Sequence, residues 1–147
     1  MSNGFSDSEA ERDIESRLQD ADAAIESLAE DYEVWAGEDL NVAKQALESA
    51  RSLPTGRQPQ IQKVFNVVHD MKGQGGTFGY DLITLISQSL CDFIRNIPDA
   101  TDAELKVIDH HLAAMAIVLD NRIKGSGGKF AGKIRAKLER IITAAQG

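Results

Sequence analysis

The chain has 147 residues, 42% hydrophobic and only 5% aromatic, with 3 prolines and a formal net charge of −7. That length suits one domain with a substantial core, and the sparse proline and aromatic content favours helices over sheets. The net acidity excludes nucleic acid as an expected partner, because a polyanion is repelled. A single cysteine, Cys91, excludes an internal disulfide and fits a reducing cytosol. There is no signal-type leader and no apolar run of about 18 residues, so the expectation is a cytoplasmic protein without a membrane span.

Residues 1–7 read as a polar, frayed tail. From Ser8 a long helix is predicted to residue 36. Its apolar positions Ile14, Leu18, Ala21, Ile25, Leu28, Tyr32 and Trp35 alternate steps of four and three, a heptad seam over about three repeats. Two readings of that seam stand side by side: packing on the chain's own bundle, or a homodimer through this helix. Gly37 is expected to interrupt the helix, after which Leu40, Ala43, Leu47 and Ala50 make a new stripe. Pro54-Thr55-Gly56 reads as a loop.

Pro59 suits the first turn of the next helix, which carries Ile61, Val64, Val68 and Met71 on one face and runs to about Gly75. A reversal around residues 77–79 leads into a helix over 80–97, with Leu82, Leu85, Ile86, Leu90, Phe93 and Ile97 inward. Pro98-Asp99-Ala100 breaks it. Thr101 or Asp102 caps another helix through Leu105, Ile108, Leu112, Met115, Leu119 and Ile123. Gly125-Ser126-Gly127-Gly128 reads as a flexible link before a basic helix over 129–145, with Phe130, Ile134, Leu138, Ile141 and Ile142 apolar. The expected organisation is one domain: a tail 1–7, a helical extension 8–36, a bundle 38–123 and a C-terminal helix 129–145. Residues 1–39 hold thirteen acidic side chains against Arg12 and Arg17, while residues 122–147 hold seven basic ones against Glu139. Those ends attract, within or between chains.

The chemistry concentrates near the middle. His69 and Lys72 lie three residues apart beside the apolar stripe, so they rise from neighbouring points of one helical face. Gly73 has no side chain to cover the imidazole. Gly73, Gly75 and Gly76 would each cost about 1 kcal/mol relative to alanine inside a helix. Either the helix ends early, with Gly79 as terminator, or another molecule comes close to the histidine.

The run His69-Asp70-Met71-Lys72-Gly73, with Gly79 six residues after Gly73, resembles the signature of histidine-containing phosphotransfer (HPt) domains. Thr77-Phe78-Gly79-Tyr80 is most similar to the HPt domain of chemotaxis histidine kinases. The resemblance implies an all-α, antiparallel four-helix bundle of HPt type, here with an extra long N-terminal helix and a C-terminal helix. It implies His69 as phosphoacceptor in a two-component phosphorelay, passing a phosphoryl group between receiver-domain aspartates. Lys72 would supply a fixed cation beside the transferred oxygens, and Gly73 and Gly76 would admit the receiver's loops. The implied docking face includes Gln62, Phe65, Asn66, Gly76, Gly79 and Gln88. Partners would be response-regulator receiver domains and a hybrid histidine kinase. Mg²⁺ is expected only in the receiver, no metal or other cofactor in this chain, and the protein would be a carrier and not a kinase. The competing reading is a non-catalytic helical adaptor or dimerisation module with a vestigial motif.

One departure stands out. Chemotaxis-kinase HPt domains place a carboxylate on the following helix to orient the phosphoacceptor ring, at a spacing that here falls on Cys91. Gln88 could bond in its place, or nothing does. Asp109-His110-His111 is similar to a phosphoesterase motif, but its mid-helix position reads as an exposed histidine pair, and Cys91 reads as a small core residue.

Overall fold

The computed structural model describes residues 6–146, and among them are five α-helices and no strand. The tail expected over 1–7 lies outside the described residues up to residue 5, and Asp7 already begins the first helix. α1 spans Asp7–Arg51. The Ser6 hydroxyl accepts from the Glu9 amide at 3.2 Å, and Asp7 and Glu9 complement the positive end of the helix dipole.

The break expected at Gly37 does not occur: α1 passes straight through it. Gly37 lies on the exposed side, and the buried positions Tyr32, Ala36, Leu40, Ala43 and Leu47 keep one register across it. Packing along that seam outweighs the roughly 1 kcal/mol that glycine costs a helix. No new stripe begins at Leu40; one stripe continues.

α2 spans Gln58–Gly75, with proline in its first turn, and a 3₁₀ turn over Gly76–Phe78 follows it. α3 spans Asp81–Arg95 and α4 spans Asp102–Asp120. Thr101 and Glu104 close a capping box at the start of α4. α5 spans Lys129–Gln146. α1 packs against α2 and α4, and α3 against the same two, which closes a four-helix bundle. α5 lies outside that ring, against α3 and α4. The core is aliphatic, with Ile61, Val64, Val68 and Met71 of α2 fully buried against Leu82, Ile86, Leu90, Ile108 and Leu112. No helix of the described residues is long and apolar enough to cross a membrane.

Loop contacts at both ends hold this frame. Arg57 is buried before α2; its guanidinium donates to the carbonyls of Leu53 at 2.6 Å and Ala100 at 2.9 Å and pairs with Asp102 at 2.7 Å. The Asp99 carboxylate returns bonds from the Gly56 and Arg57 amides. At the other end Tyr80 donates to Glu33 at 2.5 Å, and Arg122 pairs with the same carboxylate at 3.3 Å. The glycine link after α4, expected to be flexible, is fastened by the Gly125 amide to the Gly79 carbonyl at 2.8 Å.

Two outer surfaces leave apolar side chains uncovered. Phe130, one of the apolar positions of α5, is exposed, and only Leu138 of that helix is buried. The seam of α1 from Ile14 to Leu28 packs on nothing in its own bundle; Ile14, Leu18, Ile25 and Leu28 are all at least half exposed.

Candidate functional site

His69 is exposed on α2, one position past the buried Val68. Val64, Val68 and Met71 anchor the opposite face, so the imidazole stands on a helix that the core holds in place. Lys72 is half buried beside it, and its ammonium makes no ion pair among the described residues. The Thr84 hydroxyl donates to the Lys72 carbonyl at 3.2 Å and so ties this turn of α2 to α3.

The glycines divide into two kinds. At Gly75 an added Cβ would lie 2.9 Å from Thr84 Oγ1 and 3.1 Å from the Tyr80 carbonyl, so α3 leaves no room for a side chain there. Gly79 has φ +85°, the left-handed conformation that closes the turn into α3. Gly73 and Gly76 are exposed; a Cβ at Gly73 would meet nothing, and at Gly76 only Thr84 Oγ1 at 3.7 Å. Nothing among the described residues requires glycine at those two positions. Both lie within a turn or two of His69 and leave bare backbone facing outward. Gly79, grouped with the docking residues in the sequence reading, owes its glycine to the backbone turn.

The ring of His69 has no hydrogen-bond partner among the described residues. Gln88 is exposed on α3, but its amide donates to Asp92 at 2.8 Å. Cys91 is fully buried, and burial pushes its thiol pKa up, against the lowering influence of Lys72 and Arg95. A neutral, enclosed thiol cannot do the work of an orienting carboxylate. The His69 ring instead stacks on Phe65, with 5.7 Å between centroids and 27° between planes. The guanidinium of Arg95 lies 5.2 Å from the centre of the same phenyl ring. Phe65 is half buried, and Gln62 and Asn66 bond to each other at 2.9 Å on the exposed side of the same helix.

Arg95 is the residue that sequence reasoning missed. It sits one turn after Cys91 on α3, and that spacing, taken with the α2–α3 pairing, could have placed a cation against Phe65. Its pairing with Asp92 at 3.4 Å and the Gln88–Asp92 bond make a polar ridge along the exposed face of α3.

The triplet Asp109-His110-His111 does not form a site. Asp109 pairs with Arg51 at 3.5 Å, His110 is exposed, and His111 is fully buried. The exposed pair expected there is therefore corrected to one surface and one core histidine, because His111 falls on the buried stripe of α4. Its Nδ1–H donates to the Val107 carbonyl at 2.7 Å, which leaves Nε2 to accept from the Ser89 hydroxyl at 2.9 Å. Among the described residues no three His, Cys, Asp or Glu side chains gather as a metal site requires.

The family model described as "Hpt domain" matches residues 27–124, the bundle together with its histidine turn. No curated protein and no solved structure matches the chain at a significant level. Two-thirds of the chain is covered, and the bundle, the exposed histidine and the glycine turn fall within the matched part. The chain belongs to the Hpt domain family, the histidine phosphotransfer modules of two-component signalling.

Proposed function

We propose that this protein is a phosphorelay carrier that holds a phosphoryl group on His69 between receiver-domain aspartates. The observation that carries the reading is an exposed imidazole beside a half-buried ammonium, with open glycine backbone at Gly73 and Gly76 that no internal contact demands.

The lone pair of one ring nitrogen attacks the phosphorus of an aspartyl phosphate on the partner. The N–P bond forms, the P–O bond to the aspartate breaks, and the carboxylate leaves with the electron pair. A neutral imidazole keeps a lone pair on one ring nitrogen and is a competent nucleophile. Lys72 places a positive charge where the equatorial oxygens gather theirs. Mg²⁺ belongs to the receiver, and this chain supplies the nucleophile, the cation and the docking surface. Gln62, Phe65 and Asn66 of α2, Gly76 of the 3₁₀ turn and Gln88 of α3 make up the face that a receiver would cover. Without a hydrogen-bonded carboxylate to raise the basicity of the ring, exchange with receivers is favoured over direct transfer from ATP within a kinase. The setting is the cytoplasm, where receiver domains reside.

The deciding experiment incubates the protein with a phosphorylated receiver and looks for acid-labile, alkali-stable label. Label that disappears in His69→Gln supports the carrier. No label from several receivers overturns it and leaves a helical adaptor with an idle histidine.

A further inference from the structure

Two elements lie outside the part matched to the Hpt family: the arm of α1 before residue 27, and α5. They are opposite in charge. Residues 7–28 carry eight carboxylates against Arg12 and Arg17, whereas α5 carries five cations against Glu139. They are also each incompletely covered. The arm continues the stripe that buries Tyr32, Ala36 and Leu40, so Ile14, Leu18 and Ile25 lie on the same helical face beyond the end of the bundle, 57%, 59% and 61% exposed. On the outer side of the bundle, α4 and α5 enclose an apolar groove of about 230 Å³. Ile117, Val118, Phe130 and Ile134 line it, Lys133 and Lys137 rim it, and Ile117 and Phe130 are 54% and 43% exposed.

We infer that the acidic arm of one copy lies in the α4–α5 groove of a second copy, and that the exchange is reciprocal. A lone helix of about 22 residues with an open apolar stripe gains little from its own hydrogen bonds and needs a surface to cover it. Pairing arm with arm would set one acidic helix against another. Pairing arm with α5 sets opposite charges together and covers apolar surface on both sides. The lengths agree: about 33 Å for the arm and about 27 Å for α5 at 1.5 Å per residue. Glu11, Glu15, Asp22 and Glu26 follow one edge of the stripe by helical spacing, where Lys133 and Lys137 would meet them. A reciprocal exchange closes with twofold symmetry and does not propagate into fibres. His69 lies on α2, which contributes nothing to the groove, so the dimer leaves both imidazoles open.

Sedimentation velocity on the full chain tests this. The wild type is expected to be a dimer whose dissociation constant rises with ionic strength. Lys133→Glu with Lys137→Glu, both at exposed positions, should weaken it about tenfold or more. Adding Glu15→Lys and Glu26→Lys should bring it back to within about threefold of the wild type. Leu18→Asp with Ile25→Asp should give a monomer with unchanged thermal unfolding of the bundle. A wild type that stays monomeric across the concentration range overturns the proposal. So does a dimer indifferent to the α5 reversal, which would be arm-to-arm pairing, and so does a weakened dimer that the arm reversal fails to restore.

Discussion

The imidazole of His69 rests on the phenyl ring of Phe65, 5.7 Å between centroids, and among the described residues no side-chain hydrogen bond holds it from another direction. The stack sets the tilt of the ring relative to α2, while Arg95 lies 5.2 Å from the same phenyl centre and steadies it. Phe65→Ala should therefore slow phosphotransfer to His69 about tenfold, since a loosened nucleophile spends less time in line with the phosphorus. Imidazole ¹⁵N shifts should show faster ring motion in the variant. Unchanged transfer rates with an intact fold would make Phe65 a packing residue only.

Lys72 is half buried, yet its charge is unpaired among the described residues. Lys72→Ala should leave the helical circular dichroism unchanged and slow transfer about tenfold or more, because a fixed cation near the developing charge is removed. Stopped transfer assays with a phosphorylated receiver measure the rate. A collapse of the helical signal would instead assign Lys72 to the fold.

Three glycines of the histidine turn should separate by assay. Gly73→Leu should keep or slightly raise stability, by up to about 1 kcal/mol from helix propensity, and should strongly weaken receiver-dependent labelling of His69. Gly75→Ala should lose about 1–3 kcal/mol, because its Cβ meets Thr84 and the Tyr80 carbonyl. Gly79→Ala should lose about 1–2 kcal/mol through its left-handed backbone. Urea unfolding and phosphotransfer, run in parallel, read the two effects apart.

The sequence made the bundle legible wherever apolar spacing met strong punctuation. Pro59, Pro98, Thr101 and the glycine run after Asn121 each fell at or next to a real helix end. The histidine turn was legible because its residue types and spacing are unusual together. Gly37 misled because a glycine's cost is small beside continuous packing, and the sequence does not say which positions on either side of it share a core. His111 misled because a histidine in a run of polar residues looks exposed until the Ser89 hydroxyl and Val107 carbonyl that satisfy it are seen. The Phe65–His69 stack and the Arg95 contact depend on how α2 and α3 are set together, which no local pattern records.

Arg57 joins the loop before α2 to the loop before α4. Its side chain is almost wholly enclosed, whereas that of its partner Asp102 is 86% exposed. The two ends of this ion pair are therefore unequal. Arg57→Met should cost about 2–3 kcal/mol, since the Leu53 and Ala100 carbonyls lose their donor and the Asp99 turn loosens. Asp102→Asn should cost less, about 1 kcal/mol, because the amide oxygen can still accept from the guanidinium, which keeps its bonds to the Leu53 and Ala100 carbonyls. Chemical denaturation of both variants checks the asymmetry, and equal losses would refute it.

His111 makes folding sensitive to mild acid. Burial is the main cause that lowers its pKa below the ordinary histidine value, partly offset by its bond to the Val107 carbonyl, and the neighbouring His110 lowers it further. The folded ring thus resists protonation, while the unfolded chain takes up a proton near the ordinary value of about 6.5. Between the two pKa values the unfolded state binds more protons, so stability rises with pH in that window. Its contribution is fully present above about pH 6.5 and is lost as the pH falls below that value toward the depressed folded pKa. A proton on Nε2 would reverse its bond with the Ser89 hydroxyl, which accepts as well as donates, and would set a charge on a fully buried ring. Urea midpoints taken between pH 7.5 and pH 5 should therefore fall in the wild type and much less in His111→Gln, with the carboxylates contributing mainly at lower pH. Parallel slopes in the two proteins would show that another group governs the acid response.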